Sequence, residues 1–281
     1  MSDRLTALAQ SILPRRALTE AVGRVARARL GTITTAMIRL FVRRFAVNLA
    51  EADVSDPRGY ASFNDFFVRA LRSDARPIDP ASLVSPVDGR ISQFGAIADG
   101  QIYQAKGHGF STVDLLGGDS IRAGHYRNGR FANLYLSPRD YHRIHMPCDG
   151  RLVAMTYVPG DLYSVSPACA RAIPGLFARN ERVVCHFATD HGPMVMVLVG
   201  ATIVGSIATV WHGTVNAPRP AHLRHWTYDQ DTVALRKGQE MGRFLMGSTV
   251  IMLFASGDMR FNPCWHAAGA VQLGEMMAHI D

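Results

Sequence analysis

The chain has 281 residues, 48% of them apolar and 19% charged, with a net charge of +7. That length and balance support a folded core and exclude a disordered, fibrous or low-complexity chain. The four cysteines, Cys148, Cys169, Cys185 and Cys264, form no CxxC pair, which points to reduced thiols in a cytosolic compartment and away from a disulfide scaffold.

The charge is concentrated at the start. Residues 1–44 carry nine arginines (4, 15, 16, 24, 27, 29, 39, 43 and 44) against Asp3 and Glu20, a net of +7, and residues 45–281 balance at 21 basic and 21 acidic. The same segment has helical period, with Leu5, Leu8, Ala9 and Ile12 at i, i+3, i+4 and i+7. Pro14 is expected to end that helix. A second begins near Thr19, and a third carries Ile33, Met37, Leu40 and Phe41 with Arg39, Arg43 and Arg44 alongside. Arginine-rich amphipathic helices suit an anionic membrane surface, where each basic residue contributes ~1 kcal/mol. Packing on the main domain with a solvated basic face competes with that reading. Nucleic acid is not expected as a partner, because the arginines are not interleaved with aromatics placed for stacking.

After "DVSDPRGY" (53–60) the period changes, so residues 1–60 read as a basic helical membrane-association segment and 61–281 as the main domain. "FNDFFVRALR" (Phe63–Arg72) reads as a linking helix burying Phe63, Phe66 and Phe67 on one face. Strand-like runs follow at Arg90–Ile97, Phe131–Leu136, Arg151–Val158, Val183–Ala188, Met194–Val199, Thr202–Val210 and Phe244–Ala255, separated by turn sequences. Many strands with few helices between them predict an α+β chain built on an antiparallel sandwich or barrel-like domain. The longest apolar run, near Met194–Gly205, is too short to span a bilayer, and no h-region of a signal peptide follows the N-terminus.

Three polar clusters carry candidate chemistry. "VSPVDGRI" places Asp88 in a turn entering a strand, where it could simply cap its own backbone. "YHRIHMPCDG" places His142 and His145 three apart, sharing a face if helical and suited to metal binding or to acid–base work. No HExxH or CxxC motif supports the metal reading. The third is Gly247-Ser248-Thr249, which interrupts the last strand-like run and reads either as a β-bulge or as a reactive step. A serine after glycine can attack the preceding carbonyl in an N-to-O acyl shift if a base takes its proton, and glycine leaves that carbonyl accessible. β-Elimination of the ester and loss of ammonia would leave a pyruvoyl group, an electron sink made from the chain itself.

Taken together, "VSPVDG", "LSPRDYHRIHMPCDG", "VPGDLYSV", "LFARNERVVCHF", "LVGATIVGSI" and "FLMGSTVIMLF" resemble the phosphatidylserine decarboxylase proenzymes, in order and spacing, over essentially the whole chain. The family's usual Leu-Gly-Ser-Thr has Met246 in place of leucine here, a volume-conserving exchange. The resemblance implies cleavage between Gly247 and Ser248 into a β chain, 1–247, and an α chain, 248–281. Ser248 would become the covalent pyruvoyl group that forms a Schiff base with phosphatidylserine, and no metal is expected. By the same resemblance Asp88, His145 and Ser248 make up the self-processing triad, and His142 contacts substrate or delivers a proton during decarboxylation. The implied enzyme is a carboxy-lyase, peripheral on the cytoplasmic face of the cell membrane, that makes phosphatidylethanolamine and carbon dioxide. Alternatives are a relative acting on another serine-headed lipid, and a zinc-dependent hydrolase with His142, His145 and Asp88 as ligands. The oligomeric state stays open, a homo-oligomer included.

Overall fold

The computed structural model describes residues 13–203, 206–229, 232–246, 249–255 and 257–280. The helix expected through Leu5, Leu8, Ala9 and Ile12 lies outside them. Helix α1, Arg15–Arg27, starts directly after Pro14 and not near Thr19, since the fixed φ of proline suits the entry to a helix. Helix α2, Thr32–Phe45, falls where the third period was read. The linking helix α3 covers only Phe63–Phe67. It opens on a capping box in which Ser62 and Asp65 exchange side-chain bonds with each other's backbone N–H, both 3.1 Å. It stops short of Arg72 because Leu71 bridges to Ala52 and Arg72 N donates to Glu51 O at 2.9 Å, so tertiary pairing extends the backbone.

The basic helices pack on the body of the protein. Phe41, Phe45, Phe63, Phe66 and Phe67 cluster with ring centroids 4.4–6.3 Å apart around Ile38. Each buried ring contributes ~1.5–3 kcal/mol. Further back, Arg15 pairs with Asp161 at 3.2 Å and lies 4.0 Å from the Tyr163 ring centre. Thr19 Oγ1 accepts from Ile203 N at 3.0 Å.

The body is built from open antiparallel sheets, so the α+β class holds, and among the described residues no barrel closes. The strands that position the site are β1 Gly89–Ala96, β2 Arg130–Tyr135, β3 Arg143–His145, β4 Gly150–Val158, β5 Arg182–Thr189, β6 Gly192–Val199, β7 Ile207–Thr209, β8 Glu240–Phe244 and β9 Thr249–Phe254. The large sheet runs Arg224–Thr227, β4, β5, β6, β9, β2, β1, Ala270–Val271. A second sheet runs Gly213–Thr214, β7, β8, β3.

Strand β9 sits between β2 and β6, and all six of its residues are buried. Val250, Met252 and Phe254 enter one core with Met194, Met196 and Leu198 of β6. Ile251 and Leu253 enter a second core with Val195, Val197 and Val199. The period of two is preserved while both faces are covered, and hence the sequence reads as a continuous apolar run.

Two expected strands change. Within Thr202–Val210 only Ile207–Thr209 is strand among the described residues. The run Phe244–Ala255 is not one bulged strand: it divides into the end of β8 and the whole of β9, which belong to different sheets. The Gly-Ser-Thr break is where the chain leaves one sheet for the other.

Candidate active site

Gly247 and Ser248 lie outside the described residues, but the chain on either side of them is firmly held. Thr249 pairs with Tyr135 of β2 and Val199 of β6. Upstream, Arg243 of β8 pairs with Arg143 of β3, and Phe244 N donates to His142 O at 3.0 Å. Residues 136–142 connect β2 to β3, and residues 245–248 connect β8 to β9. The two connections are therefore anchored to each other at both ends.

The first connection opens on a turn at Ser137-Pro138-Arg139-Asp140, with Asp140 N donating to Ser137 O at 2.9 Å. Asp140 Oδ2 accepts from Ser137 N and Oγ, both 2.7 Å. Proline at the second position suits that turn. Beside it is a cavity of about 250 Å³ lined by Phe41, Phe45, Phe67, Tyr135, Pro138 and Met246 among others. Its walls come from the basic helices, from the strand partner of Thr249 and from the residue preceding Gly247.

His142 is fully buried and lies 4.1 Å from the Phe67 ring centre. Its Nδ1 donates to Asp140 O at 2.8 Å; a carbonyl only accepts, so Nε2 holds the lone pair. That Nε2 is buried without a hydrogen-bond partner among the described residues. Burial, then the Arg69 charge, lower its pKa to about 3, so the ring is neutral.

His145 is bound at both nitrogens. Nδ1 donates to Gly238 O at 2.7 Å, which leaves Nε2 to accept the Tyr141 hydroxyl at 3.0 Å. Burial lowers its pKa, and Asp88 is among the charges that oppose the shift. Asp88 reaches His145 through its field, because its own carboxylate is engaged elsewhere. Oδ1 accepts from Arg76 Nε at 3.0 Å and Leu273 N at 2.8 Å, and Oδ2 accepts from Arg76 Nη2 at 2.6 Å. Arg76 also reaches Glu51 at 2.8 Å, and its bond to Asp88 raises its pKa.

The segment holding the two histidines is extended and not helical, so their spacing gives no shared helical face. The atoms that a zinc site would use on Asp88 and His145 already have protein partners. Tyr141, Tyr135 and Arg76 were not singled out in the sequence. Tyr141 stands inside the quoted histidine motif, whereas Arg76 is 12 residues from Asp88 and no spacing rule connects them.

A family model described as phosphatidylserine decarboxylase matches residues 63–279, and a second, described as PSD, matches residues 5–46. The chain is 61% identical over 279 residues to the phosphatidylserine decarboxylase proenzyme of Delftia acidovorans, covering 99% of this chain and 98% of the relative. It is 60% identical over 283 residues to that of Polaromonas naphthalenivorans, covering 100% and 98%. Identity to that of Azoarcus sp. is also 60%, over 280 residues covering 100% and 97%.

Proposed function

The chain belongs to the phosphatidylserine decarboxylase family, and on that premise we propose that it is a self-processing proenzyme that decarboxylates phosphatidylserine to phosphatidylethanolamine. The observation that carries the reading is that Phe244 and Thr249 are each pinned to the segment that holds buried, neutral His142, with an apolar cavity beside them to which Met246 contributes.

In this reading Ser248 Oγ attacks the Gly247 carbonyl, and the amide becomes an ester. His145 takes the serine proton on Nε2, and its neutral Nδ1–H tautomer, held by Gly238 O, suits it to that task. Asp88, itself held by Arg76 and Leu273 N, stabilises the imidazolium through its charge. Breaking the ester leaves chains 1–247 and 248–281. Two buried polar atoms without partners among the described residues, Thr249 Oγ1 and His142 Nε2, would be the ones to hold a pyruvoyl group at residue 248. When present, that group supplies the electron sink for loss of carbon dioxide from an amino acid head group. In this reading His142 contacts the substrate head group or delivers a proton to it.

The cavity is apolar where acyl chains would lie. Helix α2 carries two apolar stripes, one buried through Ile38, Phe41 and Phe45, the other exposed at Ile33 (58%) and Leu40 (70%) beside exposed Arg39, Arg43 and Arg44. The exposed stripe would rest on the cytoplasmic face of an anionic cell membrane and bring the lipid to the cavity. Among the described residues no helix is long and apolar enough to cross a membrane. Residues 1–60 thus serve membrane association, with helices α1 and α2 packed on the catalytic body. The test is turnover: purified protein given phosphatidylserine vesicles should release carbon dioxide and phosphatidylethanolamine in equal amounts. A chain that splits but yields neither product would overturn the assignment.

A further inference from the structure

Strand β5 feeds both cores by its period of two. Cys185 and Phe187 enter the first, and Val184 enters the second together with Val195 of β6. His186 stands in the row of the second core, directly across from Val195 and from Ala154 of β4, where the period asks for an apolar residue. It is 5% exposed, and its ring makes no hydrogen bond among the described residues. Burial, then the Arg122 charge, lower its pKa to about 4, so the ring is neutral. A neutral imidazole offers one N–H and one lone pair, and here the protein uses neither.

The residue borders a cavity of about 300 Å³, lined by Arg122, His125, Tyr126, Val153 and Pro193 among others. The groups whose charges act on His186 are Arg122, Asp119, His225 and His125, three of them basic. Asp119 is already engaged: its Oδ1 accepts from Arg122 N at 2.9 Å and its Oδ2 from Arg122 Nη1 at 2.7 Å. Arg122 Nε and Nη2 have no bond among the described residues. His225 Nδ1 meets Thr156 Oγ1 at 2.9 Å. Unused donors on Arg122 and His186 thus stand beside walls supplied by Tyr126, Val153 and Pro193. This cavity is separate from the candidate active site. Pro193 lies near one end of β6, and Val199, the partner of Thr249, forms the other; the strand's eight residues span about 25 Å.

We propose that this cavity binds a small organic acid, its carboxylate on Arg122 and His186 and its apolar body against Tyr126, Val153 and Pro193. The carboxylate accepts from the unused guanidinium N–H groups and from the imidazole. A neighbouring anion favours the charged imidazolium, so the acid enters with a proton taken up by His186. Binding therefore tightens as pH falls. Nothing in this site depends on Ser248.

The probe is benzoate, and the target is the full chain with ¹⁵N-labelled histidine. Titration should saturate at one benzoate per chain and move the His186 ring resonances, assigned by their absence from His186→Gln. Benzamide, which has the same shape without the charge, should bind about tenfold more weakly or worse. Arg122→Gln should weaken benzoate by a similar factor while its melt stays cooperative and phosphatidylserine turnover stays at the wild-type rate. Affinity for benzoate should rise about threefold or more from pH 7.5 to 5.5, and by less in His186→Gln. Absence of saturable binding at pH 5.5 overturns the site, as does saturation that leaves the His186 resonances unmoved. Equal affinity for benzamide overturns the acid as ligand, and unchanged affinity in a folded Arg122→Gln overturns its seat on that guanidinium. The benzamide comparison and the pH series use wild-type protein, so they decide even if Arg122→Gln does not fold.

Discussion

His142 and His145 stand three residues apart and differ in what their lone pairs meet. His142 Nε2 has no partner among the described residues, while His145 Nε2 is bound to Tyr141. The two should therefore separate by step. His145→Ala is expected to leave a single uncut chain. His142→Ala should still split but lose about 10²–10⁴-fold in turnover, measured as carbon dioxide release from the split protein. Equal loss of splitting in both variants would contradict the division. A second residue-scale effect comes from buried, neutral rings. Burial lowers His142 to about 3 and His186 to about 4, against about 6.5 in an unfolded chain. Below pH 6.5 the unfolded chain gains protons that the folded chain refuses, so stability falls as pH falls. At pH 5.5 each ring removes about 1.4 kcal/mol. Melting temperature should drop between pH 7.5 and 5.5, and His186→Gln should recover part of the drop; an identical drop in both proteins would refute this. At this scale Asp88, His142 and His145 were legible in the sequence as chemistry-bearing types. Their partners were not, because Arg76, Gly238 and Leu273 reach them only through the fold.

Among the elements, the Asp88-Gly89 motif shows why a turn residue matters to a strand. A Cβ at Gly89 would stand 2.5 Å from Tyr135 O, so β1 can approach β2 only with glycine there. Gly89→Ala should cost about 1–3 kcal/mol in a melt and slow splitting, since both Asp88 and the partner of Thr249 would shift. A variant with wild-type melting and splitting would show that the approach is not needed. Helix α2 invites a different change. Ile33→Glu with Leu40→Glu alters only its exposed stripe, and should abolish flotation with phosphatidylserine vesicles at unchanged melting temperature. Retained flotation would move the membrane contact elsewhere. Arg15 is a poorer probe of the same idea, because its guanidinium already serves Asp161 and Tyr163. Periodicity placed α2 and the long strands within a few residues. It could not show that α2 has a second, buried stripe, nor that one apolar run serves two sheets, since both depend on partners distant in the chain.

At the scale of the whole molecule, the proposed cut falls at a consequential place. The small chain 248–281 would include β9, the strand held between β2 and β6, together with the strands at Met259–Phe261, Ala270–Val271 and Met276–Ile280. Both chains should therefore migrate as one species in native gel filtration and part only in denaturant; parting under native conditions would show that β9 is not integral to the fold after cleavage. The family resemblance could be read from six motifs in order, whereas the doubly anchored crossing that brings them together could not, because it is a property of strand register. The most direct measurement is the intact mass of freshly purified, denatured protein. The account predicts two chains divided between Gly247 and Ser248, the smaller lighter than its sequence by one ammonia. A single 281-residue chain from a preparation that decarboxylates phosphatidylserine would contradict it.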